Sequence, residues 1–267
     1  MSERPRRLVF GEIAELYEAR RPTYPQALVD DLVAWASHGV DRPAALEIGA
    51  GTGKATRLMA ARGVAVTAIE PSAEMAAVAR RLARETDGAV DPIESDFEHA
   101  DLGGRRFPLV YAGQAWHWVT VPRGFELARA ALVGGGRLVP FWNRPAWGRS
   151  ELRAALDDVY AAHLPSGLGR GPYHPSVTEA SSEYGQWPQQ IAEVDGLGDP
   201  EVREYEWSID YTASQYAGLV ATHSETRLLD HGTRERFLTA LERTVEDHGG
   251  SFRLQMRTFA CVAVARD

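Results

Sequence analysis

The sequence predicts an α/β fold in which a doubly wound, mostly parallel sheet carries helices on both faces. Three observations predict it. Between about Asp41 and Asn143, short apolar runs of strand length alternate with helical patterns in five strand–helix units. The first run ends in a glycine-rich turn that opens a helix. Acidic residues lie at the ends of the first three strands, at the edge where open α/β sheets bind ligands.

The first strand, Ala44 to Ile48, ends in the turn Gly49-Ala50-Gly51-Thr52-Gly53, and a helical pattern follows from Lys54 to Arg62. Glycines let a backbone approach a ligand closely, and a helix start offers unpaired N–H groups, so the pattern predicts a nucleotide-binding corner. The sixth position counted from Gly49 is not glycine, which departs from the dinucleotide fingerprint. The spacing of a phosphate-binding P-loop is absent as well.

An acid, Glu47, stands two residues before the first glycine. A carboxylate there would repel a pyrophosphate and attract an ammonium or a sulfonium. The arrangement resembles motif I of the class I S-adenosylmethionine (SAM) methyltransferases. The resemblance implies a Rossmann-like sheet of seven strands with the last one antiparallel, SAM as the cofactor, and cofactor contacts at Glu47, Gly49 and Gly51. The alternative is that the glycines form only a tight turn.

The second strand, Val64 to Ile69, ends at Glu70, 21 residues after Gly49. An acid about 20 residues beyond the glycines accepts hydrogen bonds from ribose hydroxyls. The alternative is an acidic residue that stabilises the start of the next helix. Met75, on that helix, packs either on the adenine or in the core.

The third strand leads into Ile93-Glu94-Ser95-Asp96-Phe97-Glu98. In the family that the sequence resembles, an Asp at this strand end accepts a hydrogen bond from the adenine amino group, and the next side chain covers the ring. The resemblance therefore assigns these roles to Asp96 and Phe97. The alternative is an ordinary acidic loop.

The fourth strand, Phe107 to Gly113, leads into Gln114-Ala115-Trp116-His117-Trp118-Val119. This segment looks like the corresponding motif of small-molecule methyltransferases related to the trans-aconitate methyltransferases. Gln114 is predicted to contact the cofactor, and His117 is the predicted general base because histidine titrates near neutral pH. The alternative is that the His117 ring packs between its two tryptophan neighbours. The Asn/Asp-Pro-Pro-Tyr motif of adenine and glutamine N-methyltransferases is absent.

Further aromatic and histidine residues are weaker candidates. Four tryptophans near the ends of strands four and five predict either an aromatic wall for a planar substrate or ordinary core: Trp116, Trp118, Trp142 and Trp147. Three histidines are pocket candidates or surface residues: His163, His174 and His223.

The N-terminal segment Ala14 to Pro25 resembles the Tyr-containing, Arg-Pro-x-Tyr-Pro lead-in of the same family, which folds over the cofactor in relatives. The resemblance implies that Tyr17 and Arg21 touch the methionine end of SAM, the arginine at its carboxylate. The alternative is a surface helix ended by Pro22, with Arg21 in solvent.

The remaining chain predicts one methyltransferase domain with four parts: a helical N-terminal lid at 1–40, a SAM-binding core at 41–145, a variable insert at 146–200 that shapes the substrate pocket, and closing elements at 201–267. A glycine run at Gly134 predicts the end of a helix, Arg123 to Leu132, and a fifth strand is predicted from Arg137 to Trp142. Further elements are expected in order: a helix at Glu151 to His163, a strand at Glu201 to Tyr211, helices at Ser214 to Leu229 and Thr233 to Asp247, and a last strand at Phe252 to Ala265.

Composition limits the partners. The net charge of −8 disfavours nucleic acid, and no apolar run is long enough for a membrane helix or a signal peptide. The single cysteine, Cys261, excludes an internal disulfide and a cysteine metal cluster. We therefore expect a cytoplasmic enzyme. We expect no metal, because the sequence shows no Asp/Asn/His constellation like that of the metal-dependent catechol methyltransferases.

The sequence thus predicts a SAM-dependent methyltransferase that transfers a methyl group to a small molecule, such as a secondary metabolite, by in-line displacement. Two alternatives stay open: a nicotinamide-dependent oxidoreductase, and a non-catalytic SAM-binding or regulatory protein. The acceptor, the methylated atom and the oligomeric state are not predicted.

Overall fold

The computed structural model describes residues 14–84, 90–165, 173–175 and 186–267. These residues divide into two compact units. The large unit contains 23–84, 90–143, 186–205 and 258–267, and the small unit contains 14–22, 144–165, 173–175 and 206–257. Within the described ranges, no helix has both the length and the apolar character needed to cross a bilayer.

Seven strands form one sheet in the order β3-β2-β1-β4-β5-β7-β6. The pairs β3–β2, β2–β1, β1–β4 and β4–β5 are parallel, and β7 is antiparallel. This confirms the predicted doubly wound sheet. The order reverses between β1 and β4, which is where ligands bind in open α/β sheets. The strands are β1 (Ala44–Ile48), β2 (Ala65–Ile69), β3 (Val90–Ile93), β4 (Phe107–Gly113), β5 (Leu132–Pro145), β6 (Glu201–Thr212) and β7 (Ser251–Val264).

Helices precede β1, connect the strands, and occupy much of the chain between β5 and β7. They are α1 (Ala14–Arg20), α2 (Gln26–Ala36), α3 (Lys54–Ala60), α4 (Ala73–Ala83), α5 (Arg123–Ala130), α6 (Glu151–His163), α7 (Trp187–Ala192), α8 (Ala213–Ala221), α9 (Ser224–Arg227) and α10 (His231–Asp247). Two single turns of 3₁₀ helix, Phe97–His99 and Trp116–Trp118, follow β3 and β4.

The central strands of the large unit are buried on both faces. Because successive side chains point to opposite faces, Leu46 and Ile48 enter one apolar cluster and Ala45 enters a second. Glu47 faces the same side as Ala45, where Tyr111 of the neighbouring strand β4 also lies. The period of the strand therefore places a carboxyl group inside the protein.

The small unit has an apolar core of its own. Helix α10 packs against α6 and α8, and the contact buries Leu156, Leu219, Phe237 and Leu241 completely. Ser150 begins α6 as its N-cap by accepting a hydrogen bond from the Arg153 N–H.

The structure corrects the predicted end of the fourth strand–helix unit. Helix α5 ends at Ala130, not Leu132, and β5 starts at Leu132 and includes the glycine run. Gly135 has φ +73° and donates to the Ala265 carbonyl, while the Ala265 N–H donates to Gly136. The glycines therefore do not separate helix from strand. They let an irregular strand keep its pairing, since the β4–β5 register shifts at this point.

The predicted helix from Ser214 to Leu229 is two helices, α8 and α9. The break lies at Thr222 and His223, where His223 adopts an extended conformation and the Thr222 hydroxyl donates to the Leu219 carbonyl. A hydroxyl that bonds to the backbone competes with helix continuation, which explains the break. The other predicted strand and helix bounds agree with the structure to within two residues, and α7 was not predicted. Within the predicted insert, residues 166–172 and 176–185 lie outside the described residues.

Candidate functional site

The glycine turn after β1 has a backbone that only glycine adopts easily. Gly49, Gly51 and Gly53 have φ of +67°, +59° and +84°. A Cβ at Gly49 would collide with Ala115, which follows β4, whereas a Cβ at Gly51 would meet no atom within 4 Å. Gly49 therefore lets two strand ends approach each other, and Gly51 faces open space where a ligand could come close.

Glu47 is fully buried next to this turn. Its Oε2 accepts hydrogen bonds from Thr56 Oγ1 at 2.5 Å and from the Tyr111 hydroxyl at 2.9 Å. Burial raises the pKa of Glu47 from 4.5 to about 7, because these two hydrogen bonds only partly offset the loss of water, and the nearby charge of Glu70 adds to the rise. At neutral pH Glu47 is thus poised between its neutral and charged forms.

Glu70 ties the glycine turn to the start of the next helix. One carboxylate oxygen accepts from the Gly51 N–H at 2.8 Å and the other from the Ser72 N–H at 2.9 Å. Burial raises its pKa, the two backbone hydrogen bonds oppose the rise, and the charge of Asp96 adds to it. Both readings of Glu70 made from the sequence therefore stay compatible with the structure: it stands at the end of β2 and also stabilises a helix start.

The residues predicted to hold the adenine lie on neighbouring elements of the large unit. Asp96 follows β3 with about a third of its side chain exposed, and Phe97 and Met75 are buried. Phe97 packs 6.4 Å from the Trp116 ring, measured between centroids. The structure thus brings Asp96 close enough to Glu70 to influence its charge, whereas Phe97 and Met75 belong to the packed interior.

Gln114 is the one non-glycine residue with positive φ among the described residues, at φ +60°. Its side chain amide donates to the Asn143 carbonyl at 3.4 Å. Strained backbone of this kind costs energy and is concentrated at functional sites. The outlier therefore agrees with the predicted functional role of the chain directly after β4.

Asn143, at the end of the large-unit part of β5, was not recognised in the sequence. It is buried, its amide nitrogen donates to the Thr23 carbonyl at 2.8 Å, and its amide oxygen accepts from the Thr258 hydroxyl at 2.7 Å. The one signal available was a polar residue at the end of an apolar strand. These two hydrogen bonds hold Asn143 in place, and with it the carbonyl that accepts the hydrogen bond from the Gln114 side chain.

His117 lies on the single turn after β4, and its side chain is exposed. Its ring centroid is 4.6 Å from that of Trp118, which is itself 42% exposed. Trp116 is instead fully buried and stacks on Phe125. The described ring contacts thus join His117 to Trp118 and Trp116 to Phe125, and the role of His117 as a base stays a prediction.

The four tryptophans of the predicted aromatic wall differ in their surroundings. Trp116 and Trp142 are buried in the large unit, where Trp142 packs against Trp187 at 3.8 Å between ring centroids. Trp147 belongs to the small unit and stacks on Phe252. Of these four tryptophans only Trp118 is substantially exposed, because burial of large apolar area dominates at the other three positions.

Tyr17 and Arg21 lie in the small unit, and the glycine turn lies in the large unit. The Arg21 side chain is bonded within its own unit: Nε donates to the Thr222 hydroxyl at 2.8 Å. The alternative of a solvated Arg21 is therefore wrong. The predicted contact of these two residues with the methionine end of SAM stays a prediction.

Comparison with known proteins places this geometry in context. Residues 45–136 match a family model described as a methyltransferase domain. The match contains the glycine turn, Glu47 near the end of β1, and the acids that follow β2 and β3.

The proteins similar to the chain include two curated relatives and one solved structure. An uncharacterised methyltransferase of Mycobacterium tuberculosis is 36% identical over 142 residues, 53% of this chain and 55% of the relative. A probable S-adenosylmethionine-dependent methyltransferase of Saccharomyces cerevisiae, CRG1, is 30% identical over 131 residues, 47% of this chain and 43% of the relative. The chain thus spans about half the length of these curated relatives.

The solved structure, from Anaeromyxobacter dehalogenans and described as that of a proposed type II methyltransferase, has a TM-score of 0.62 and 20% identity. The structural alignment covers 92% of this chain and 97% of the Anaeromyxobacter chain. This likeness shows the fold. Together with the family match, the comparisons support the enzyme class and the cofactor predicted from the sequence.

Proposed function

We propose that the protein is a SAM-dependent methyltransferase that acts on a small molecule. The observation that supports this most is a row of three carboxyl groups at the carboxyl ends of β1, β2 and β3: Glu47, Glu70 and Asp96. Each influences the next, since the charge of Glu70 raises the pKa of Glu47 and the charge of Asp96 raises that of Glu70. A pyrophosphate placed at this edge would meet like charges. Ligand hydroxyl and amino groups would find hydrogen-bond acceptors there, and a cationic ligand would be attracted by the carboxylates.

SAM has the groups that such an edge would hold. Its ribose hydroxyls and adenine amino group are hydrogen-bond donors, and its sulfonium and ammonium are cations. In this proposal Glu70 accepts from the ribose and Asp96 from the adenine amino group, while Gly49 and Gly51 allow the backbone to approach. Met75 and Phe97 limit the adenine space from the apolar side, and Gln114 closes the site after β4.

When bound, SAM supplies an activated methyl group, so the chain itself has to orient the acceptor and keep water out. His117 is proposed to take the proton from an acceptor that needs a base. The segment from Gln114 to Val119 supports a small-molecule acceptor through its likeness to the group related to trans-aconitate methyltransferases, and a secondary-metabolite role belongs to the same proposal.

Calorimetric titration of the purified protein with S-adenosylhomocysteine and, separately, with NADH tests the proposal. We expect micromolar binding of S-adenosylhomocysteine and no binding of NADH. Binding of NADH alone would overturn the proposal. A screen of small acceptors with labelled SAM then follows, and cofactor binding without transfer to any acceptor would favour a non-catalytic SAM-binding protein.

A further inference from the structure

The small unit contains a group of polar side chains around Arg21. Apart from Arg21 and its neighbour Tyr17, none of them has a role in the proposed cofactor site. Arg21 Nε and Nη2 donate to the hydroxyl and the carbonyl of Thr222, at 2.8 and 3.2 Å. The guanidinium carbon lies 5.0 Å from the ring centroid of Tyr17 and 5.9 Å from that of Tyr173. These contacts fix the cation and use two of its five N–H groups. None of the described residues accepts from the other three.

Three buried side chains near Arg21 lack hydrogen bonds. Tyr173, Tyr211 and His223 are 0%, 3% and 1% exposed. Within the described part of the chain, neither tyrosine hydroxyl and neither ring nitrogen of His223 has a hydrogen-bond partner. Buried polar groups in native proteins are nearly always hydrogen-bonded, to the protein, to water or to a ligand. Several unpartnered groups in one place therefore indicate a site for a bound molecule.

The three side chains form one cluster with Arg21. The rings of Tyr173 and His223 are stacked, with centroids 5.5 Å apart and planes 25° apart. The charge of Arg21 acts on all three: it opposes the rise in pKa that burial causes in Tyr173 and Tyr211, and it adds to the fall that burial causes in His223. The cluster is thus a single electrostatic environment.

Glu225 decides which ring nitrogen of His223 carries the proton. The Nδ1 atom of His223 lies 3.3 Å from Oε1 of Glu225, an ion-pair distance without the angles of a hydrogen bond. Burial raises the pKa of Glu225, but His223 and Arg21 outweigh this and lower it, so Glu225 stays charged. A carboxylate beside Nδ1 favours the tautomer with the proton on Nδ1, which leaves Nε2 as an acceptor.

The polar groups of the cluster therefore need different hydrogen-bond partners. Nε2 of His223 needs a donor. The hydroxyls of Tyr173 and Tyr211 remain protonated because burial raises their pKa, so they can donate, as can Arg21. A ligand hydroxyl satisfies both needs, because its hydrogen goes to Nε2 and its oxygen accepts from the donors. The rings of Tyr17 and Tyr173, which lie beside the Arg21 guanidinium, favour a planar, apolar body for the rest of the ligand.

We propose that the small unit binds a small phenol, with its hydroxyl between His223 Nε2 and the donors Arg21, Tyr173 and Tyr211, and that His223 removes the phenol proton. In this step the phenol O–H bond breaks, the proton passes to Nε2, and the electron pair stays on the ligand oxygen. Glu225 stabilises the resulting imidazolium and Arg21 the phenolate. Binding does not depend on the proposed function.

The test uses 4-nitrophenol with the full chain in the absence of SAM, because only the ionised form of this probe is yellow. At a pH below the pKa of the free probe, we expect binding to produce the phenolate colour. His223→Gln should bind without the colour, and Tyr173→Phe and Tyr211→Phe should each weaken binding about tenfold, the effect of one lost hydrogen bond. His231→Gln, an exposed histidine of the same unit, is the matched control and should behave as the unchanged protein.

Several results would overturn the proposal: no saturable binding, binding of the neutral probe only, or phenolate colour that persists in His223→Gln. If His223→Gln fails to fold, the two tyrosine variants decide, and unchanged probe affinity in both would refute the site. Affinity for S-adenosylhomocysteine should not change in the tyrosine variants. A weaker affinity for S-adenosylhomocysteine in these variants would instead assign the cluster to cofactor binding. Probe binding without S-adenosylhomocysteine binding would keep this site and reject the methyltransferase proposal.

Discussion

Replacing Glu47 with glutamine should stabilise the protein in a pH-dependent manner. Glutamine has nearly the same shape and can still accept from Thr56 and Tyr111, which both donate to one carboxylate oxygen. It cannot ionise. The wild-type carboxyl has its pKa raised from 4.5 to about 7 in the folded state. At about 1.36 kcal/mol for each pKa unit, ionising it in the folded protein costs on the order of 3 kcal/mol.

The sign follows from linkage. Between pH 4.5 and about 7 the folded state holds a proton at Glu47 that the unfolded state has released. The contribution of neutral Glu47 is therefore full below pH 4.5, is lost as the pH rises, and is gone above about 7. Glu47→Gln lacks this loss, so its advantage over the wild type should grow across the same window.

Thermal unfolding of both proteins from pH 4.5 to 8.5 measures the effect. A difference of about 3 kcal/mol corresponds to roughly 6–12 °C in melting temperature for a chain of this size. Glu193→Gln, at an exposed position of the large unit, serves as the control and should show a constant difference from wild type. A pH-independent difference for Glu47→Gln, or one that shrinks as the pH rises, would refute the reasoning.

Three further changes probe the large unit. Gly49→Ala should destabilise the fold by about 1–3 kcal/mol more than Gly51→Ala in thermal unfolding, because both strain a positive φ but only the first adds a steric clash; equal losses would contradict this. Asp96→Ala should weaken S-adenosylhomocysteine binding by about 1–3 kcal/mol in calorimetry, with Asp101→Ala as the unaffected control, and an unchanged affinity would remove the adenine contact. Once an acceptor is known, His117→Gln should lower kcat/KM about 10²–10⁴-fold and remove the fall of kcat/KM at acidic pH. If His117 had only a structural role, the shape of the pH profile would not change.

Local signals in the sequence were sufficient where an element depends on its own residues. The strand Phe107–Gly113 and the helix Glu151–His163 have the bounds that the sequence predicts. The first is a continuous apolar run that ends in glycine, and the second follows an N-cap serine. Such features predict structure well because no distant partner decides them.

Distant partners decided the rest. The glycines at 134–136 look like a helix stop, but pairing with the chain at Ala265 draws them into β5. The hydrogen bond from Arg21 to Thr222 joins residues 201 positions apart and accompanies the break between α8 and α9. Neither effect has a local signature, so propensity alone gave the wrong bounds.

The candidate site was predictable in its residues but not in their partners. The order and spacing of Glu47, Glu70 and Asp96 follow from the sequence. That Thr56 and Tyr111 would bond to Glu47 does not, because it requires the register of β1 against β4 and the angle of α3. His223 was expected in a pocket or on the surface, and it is buried. Sequence periodicity cannot distinguish these outcomes for a single histidine.

Neither unit of the protein is encoded by one continuous stretch of chain. The small unit takes residues from before β1, from after Asn143 and from 206–257, and the large unit is completed by 258–267. Strand β7 contributes to both. During vectorial synthesis, therefore, neither unit can finish folding until this strand has left the ribosome. Exchange of the small unit between related proteins would need several junctions rather than one.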